Sequence, residues 1–210
     1  MRIRYFLSAA LIGMSLCASP AQATHIYLLK GLAGIFSTGL DTLADELKRR
    51  GFAATVHAYD DYDTLGPEAA QLARTGKGPI IIIGHSLGAD TAFSMAKAMK
   101  GAPVALVVLF GPDGNMTVPA NVERVLCYVT GDIVLHKAPG FRGSIRKVST
   151  AKDPGINHFN IEKIESLHAK VIAEIAAIAG HHEPSAKPRV AGDKRQAAID
   201  KSKPPVHASQ

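Results

Sequence analysis

Ser86 stands in Gly84-His85-Ser86-Leu87-Gly88, and four isoleucines, Ile80 to Ile83, run directly into that pentapeptide. A serine hydroxyl is a weak nucleophile until a neighbouring base takes its proton. The Gly-x-Ser-x-Gly spacing supplies the exposure such chemistry needs, a sharp turn that lifts the hydroxyl clear of the backbone. Gly84 and Gly88 leave room where any Cβ would clash. The β-branched run before the turn reads as a strand buried on both faces, and the alanine-rich segment after it as a helix. The chemistry these residues predict is acyl transfer through an acyl-serine.

Histidine is the usual base, because its pKa lies close to working pH. The chain holds nine histidines, so position must choose among them. His158, in Gly155-Ile156-Asn157-His158-Phe159-Asn160, falls in a loop between the last predicted strand and the last predicted helix. His57 ends an early strand, His168 lies within the final helix, and His136 follows an acid candidate by only four residues. His85 flanks the serine inside the elbow and points away from it; with Gly31 it is assigned to substrate binding. The imidazole needs a carboxylate to hold its tautomer. Asp132, after the fifth predicted strand, is the favoured acid, and Asp113, after the preceding strand, is the runner-up. Either gives the chain order Ser, Asp, His. For the oxyanion, the amides of Leu87 and of Leu32 are the expected donors, with Gly31 and Gly34 letting the loop approach the substrate.

These residues must be held by alternating strands and helices. His25 to Leu29 reads as a first strand, followed by a helix capped by Ser37 or Thr38 with Leu40, Leu43, Ala44 and Leu47 on one face. Ala53 to His57 reads as a second strand, Tyr59 to Gly66 as a polar connection, and Pro67 to Thr75 as a short helix opened by proline. After the elbow, a helix from Ala89 to Lys100 leads to strands at Pro103 to Phe110, Val122 to Thr130 and Gly143 to Ser149. A last helix presents Ile161, Ile164, Leu167, Val171, Ile175 and Ile178. Apolar strands alternating with helices predict a parallel sheet covered on both faces, with the site at the strands' carboxyl ends.

The chain has 210 residues, 47% hydrophobic and 20% charged, which suits one globular domain. Residues 1–23 read as a secretory signal peptide: Arg2 and Arg4, an apolar run from Tyr5 to Cys17, then Ala21-Gln22-Ala23. This places the mature protein in the periplasm or outside the cell. Cleavage after Ala23 leaves Cys127 as the one cysteine of the mature chain, so no intramolecular disulfide forms. Residues 24–180 form the predicted domain. Residues 181–210 carry four prolines, with six Lys/Arg against three acids, and read as a disordered basic tail suited to weak contact with an anionic membrane surface. No metal or cofactor is expected, and without a recognition motif nucleic acid is not an expected partner.

Lys30-Gly31-Leu32-Ala33-Gly34, the serine elbow and Asn157-His158-Phe159 together resemble an α/β-hydrolase, in a small form similar to bacterial lipase/thioesterase-like proteins, over residues 26 to about 178. The family fold implies an α/β class with an eight-stranded sheet. This chain begins at what would be the third strand and is expected to keep a minimal, about six-stranded and mostly parallel sheet with helices on both faces and no lid domain. The stretches from Phe110 to Asn121 and Asp132 to Gly143 are too short for a lid. An open, shallow site in turn implies a short-chain ester or thioester substrate. An acyltransferase would use the same triad, and a non-catalytic envelope-binding protein would keep the fold alone.

Overall fold

The computed structural model describes residues 23–182, apart from 33, 35 and 36. The predicted signal peptide up to residue 22 and the predicted tail from residue 183 lie outside these residues. Six strands form one fully parallel sheet: β1 (His25–Leu29), β2 (Ala53–His57), β3 (Ile80–His85), β4 (Leu106–Phe110), β6 (Arg124–Val129) and β8 (Ser144–Ser149). Their order is β2-β1-β3-β4-β6-β8, which puts the serine-bearing strand third from one edge. Every residue of β3 is buried, and each of its isoleucines contributes about 1.5–3 kcal/mol by leaving water.

The alternation of side chains along the strands divides the core in two. Tyr27, Leu29, Ile80, Ile82, Val107 and Leu109 face α2 (Tyr62–Arg74) and α3 (Leu87–Ala98). Ile26, Leu28, Ile81, Ile83, Val108 and Phe110 face α1 (Thr38–Arg49) and α4 (Glu165–His182). All four predicted residues of α1 are buried in that second layer, as are Leu167, Val171, Ile175 and Ile178 of α4. Ile161 is buried too, but in a separate 3-10 turn, Ile161–Lys163, that precedes α4. No helix among the described residues is long and apolar enough to cross a membrane.

Three local expectations are corrected. The connection expected from Tyr59 to Gly66 is largely helix, and Pro67 lies inside α2 instead of opening it. Packing outweighs proline here: Leu65 and Gly66 are buried, and Gly66 lies so close to α3 that a Cβ would sit 2.5 Å from the Cβ of Ala98. The two stretches read as short connections each contribute a three-residue strand, β5 (Met116–Val118) and β7 (Leu135–Lys137), paired in a separate parallel ribbon. Runs that short carry too few residues to show a period. Finally, α4 continues through His182, past the boundary expected at Gly180.

Glycine to alanine usually stabilises a helix interior, by up to about 1 kcal/mol. At Gly66 the sign should reverse. Gly66→Ala should lose about 1–3 kcal/mol in urea unfolding through overpacking. Gly180→Ala, where an added Cβ meets nothing within 4 Å, should be neutral or slightly stabilising.

Candidate active site

The turn from β3 to α3 is forced by contacts that admit no side chain. A Cβ on Gly84 would lie 2.2 Å from the carbonyl oxygen of Gly88, and one on Gly88 would lie 2.0 Å from that of Leu29. Ser86, pinned between them, adopts φ 54° and ψ −125°. A non-glycine residue held in that region stores about 1–3 kcal/mol of strain. The Ser86 amide donates to the carbonyl of Phe110, and its own carbonyl accepts from Ala89 and Asp90, so both flanks of the turn are tied down.

His158 arrives from the loop before the 3-10 turn. Its Nε2 lies 3.0 Å from Ser86 Oγ, and its Nδ1 lies 3.4 Å from Asp113 Oδ1. A carboxylate beside Nδ1 selects the Nδ1–H tautomer, so Nε2 accepts the serine proton. Of the two candidate acids, the structure brings the runner-up, Asp113, to His158 and leaves the favoured Asp132 away from it. Strand order gives the reason. β4 is the immediate neighbour of β3, whereas β6 lies one strand further out, about 4.8 Å. Gly111 then turns the chain after β4 with φ 55°, and a Cβ there would come within 3.3 Å of His158 Nδ1. Asp132 follows β6, is exposed, and forms no ion pair with His158 among the described residues.

Asp113 is itself held from α3. Its amide donates to Asp90 Oδ1 at 3.3 Å. The Asp90 carboxyl is pushed above its ordinary range by burial, and the nearby Asp113 charge adds to the rise. Sequence reasoning missed Asp90; its position four residues after the serine, one helical turn into α3, was the available signal.

The residues named for the oxyanion meet at the same place. Leu32, Leu87, His158 and Phe159 surround Ser86 in a cavity of about 240 Å³. Neither the Leu32 nor the Leu87 amide donates a hydrogen bond among the described residues. Leu87 opens α3, so its amide also carries the positive end of the helix dipole. Gly31 closes the gap on the other side: a Cβ there would sit 3.1 Å from the Cβ of Ser86.

His85, expected with Gly31 at the substrate, lines the cavity beside Ser86 and also makes internal contacts. It is 1% exposed, with Nδ1 2.9 Å from Ser37 Oγ and Nε2 2.9 Å from the carbonyl oxygen of His158. Burial lowers its pKa, which favours the neutral ring. Glu162, also fully buried, brings Oε2 to 3.6 Å from His85 Nε2, with Lys163 Nζ 3.8 Å from the other oxygen. The other three histidines weighed from the sequence stand apart from Ser86. His57 Nε2 engages the Thr55 hydroxyl, and His168 Nε2 lies 2.6 Å from the carbonyl of Glu162. His136 sits on the outer ribbon. Cys127 is buried in β6, and desolvation pushes its thiol up to about 12, so it is a core residue. No cluster of three or more metal-ligating side chains occurs among the described residues.

Six parallel strands, helices on both faces and a strained serine turn leaving a central strand define a minimal α/β-hydrolase fold. No family model matches the sequence, and no curated protein matches it. Among solved structures, it is similar to a protein from Xanthomonas campestris pv. campestris described as a putative hydrolase of the alpha/beta superfamily. That protein is 17% identical; the match covers 75% of this chain and 96% of the other, with a TM-score of 0.33. The fold class rests on the strand order and the elbow.

The two aspartates separate experimentally. Asp113→Asn should slow the labelling of Ser86 by a fluorophosphonate probe by about 10²–10⁴-fold, since it removes the carboxylate that orients the base. Asp132→Asn should label at the wild-type rate. Cys127 should resist iodoacetamide until the protein is unfolded.

Proposed function

We propose that this chain is an exported serine hydrolase that cleaves a short-acyl carboxylic ester or thioester through an acyl-serine intermediate. The observation that carries the reading is the contact of Ser86 Oγ with His158 Nε2 at 3.0 Å, with Asp113 on the opposite ring nitrogen. Ser86 Oγ attacks the acyl carbonyl carbon as His158 Nε2 takes its proton. The oxygen that gains charge faces the amides of Leu32 and Leu87, and Asp113 stabilises the imidazolium. Collapse expels the alcohol or thiol, which takes the proton back from His158. Water, deprotonated by His158, then attacks the acyl-serine, and collapse breaks the bond to Ser86 Oγ, which takes the proton back as the carboxylic acid leaves.

The size of the cavity supports a short acyl group. Leu32 and Phe159, each more than half exposed, flank its mouth with apolar surface. Both stretches that a lid would occupy are taken up by β5, β7 and their connections. Export is inferred from the charged, apolar and small-residue pattern of residues 1–23. Water and an alcohol would attack the same acyl-serine, so product analysis with an added alcohol distinguishes hydrolysis from transfer.

Residues 24–210 should turn over p-nitrophenyl acetate and butyrate faster than octanoate. Ser86→Ala should lower kcat by at least about 10⁴-fold. Equal rates for wild type and Ser86→Ala, with thioesters as well as esters, would sink the reading in favour of a binding protein.

A further inference from the structure

Ser37 sits at the N-cap of α1, where its hydroxyl is expected to accept from an amide of its own helix. It does not: no side-chain cap bond forms there. The hydroxyl oxygen instead accepts the Gly31 amide at 2.9 Å and lies 2.9 Å from His85 Nδ1. Giving up a cap costs about 1 kcal/mol, so another interaction has taken precedence at this position.

The direction of each bond follows from chemistry. The His158 carbonyl can only accept, so His85 Nε2 carries the hydrogen that it receives at 2.9 Å. In the neutral ring Nδ1 is then an acceptor, and the Ser37 hydroxyl donates to it. The lone pair left on Ser37 takes the Gly31 N–H. One unbranched run therefore reads Gly31 N–H to Ser37 O–H to His85, and His85 N–H to the carbonyl of His158. Ser37 and His85 are each 1% exposed, so bulk solvent competes little for these bonds. The run spans the oxyanion loop, the first turn of α1, the elbow and the base-bearing loop. At one end it grips the residue before Leu32, and at the other the backbone of His158 itself.

We propose that Ser37 and His85 are positioning residues that hold the Leu32 amide and the His158 imidazole in register about Ser86. The inference rests on the serine-hydrolase reading above. Neither side chain touches the reacting atoms. Each acts through a backbone group one residue from, or belonging to, a residue that does. Displacing either loop by a fraction of an ångström should act on the transition state more than on ground-state binding, because an oxyanion donor is aimed at charge that develops only during reaction.

The test compares Ser37→Ala, Ser37→Thr and His85→Asn with wild type on p-nitrophenyl butyrate, with fluorophosphonate titration counting competent sites. Ser37→Ala should lower kcat by about 10–100-fold with KM within about threefold. Ser37→Thr, which keeps the hydroxyl, should recover most of the loss. His85→Asn, whose amide reaches Ser37 but not the His158 carbonyl, should lose kcat as well. Ser37→Ala with His85→Asn should be little worse than the poorer single variant, because both break one run. Independently of any variant, ¹⁵N spectra of the wild-type imidazole should show His85 protonated at Nε2 and bare at Nδ1. The opposite tautomer overturns the relay, and so does a Ser37→Ala protein with wild-type kcat. A wild type that neither turns over nor labels at Ser86 overturns the hydrolase reading, and the catalytic role of the relay with it.

Discussion

The close approach of three backbone segments at Gly84, Gly88 and Gly31 is the constraint on which the rest of this structure depends. Gly88 lies against the end of β1, Gly84 against the first turn of α3, and Gly31 against Ser86. The Gly84 and Gly88 contacts are backbone on backbone, which no side chain can relax, while Gly31 sits tightly against the Ser86 Cβ, the His85 carbonyl and the Ser37 hydroxyl. Ser86 is held at φ 54° because the buried β3 on one side and the packed α3 on the other leave it no alternative. The strain is sustained by the large apolar burial around it, since four core isoleucines outweigh a single unfavourable dihedral several times over.

Given that elbow, the remaining groups are placed by strand order. The turn after β1 delivers Leu32, and the turn after β4 delivers Asp113, because β1 and β4 are the two neighbours of β3. His158 comes from further along the chain and must be brought back over the sheet, which is the task of the loop preceding the 3-10 turn and α4. That loop has little apolar burial of its own. Its position depends on polar contacts: His158 on Ser86 and Asp113, and the His158 carbonyl on His85. The buried polar residues behind the serine thus occupy the boundary where the hydrophobic core stops positioning the site.

Asp90, Asp113 and His158 form a second polar layer on the open side. Burial raises the Asp90 pKa, and the neighbouring Asp113 charge adds to that rise. The arrangement orients Asp113 through its backbone amide and leaves its carboxylate facing the histidine.

Much of this was legible in the chain alone, because the signals were local. The unbroken isoleucine run and the Gly-x-Ser-x-Gly spacing specify a buried strand and a sharp turn through sterics that act within a few residues. The apolar spacing of α1 and the oxyanion-loop glycines are equally local. Three things were not. Asp113 and Asp132 are equivalent in sequence, each an acid after a strand, and only the lateral order of β4 and β6 separates them. Pro67 looked like a helix start until the contact between Gly66 and Ala98 extended α2 past it. Ser37 and His85 read as a cap and a substrate contact, since nothing in a linear chain shows that residues 48 positions apart will exchange a hydrogen bond in a dry interior. Local sterics determined the strand and the elbow; long-range packing decided which aspartate meets His158, where α2 begins and what the buried His85 contacts.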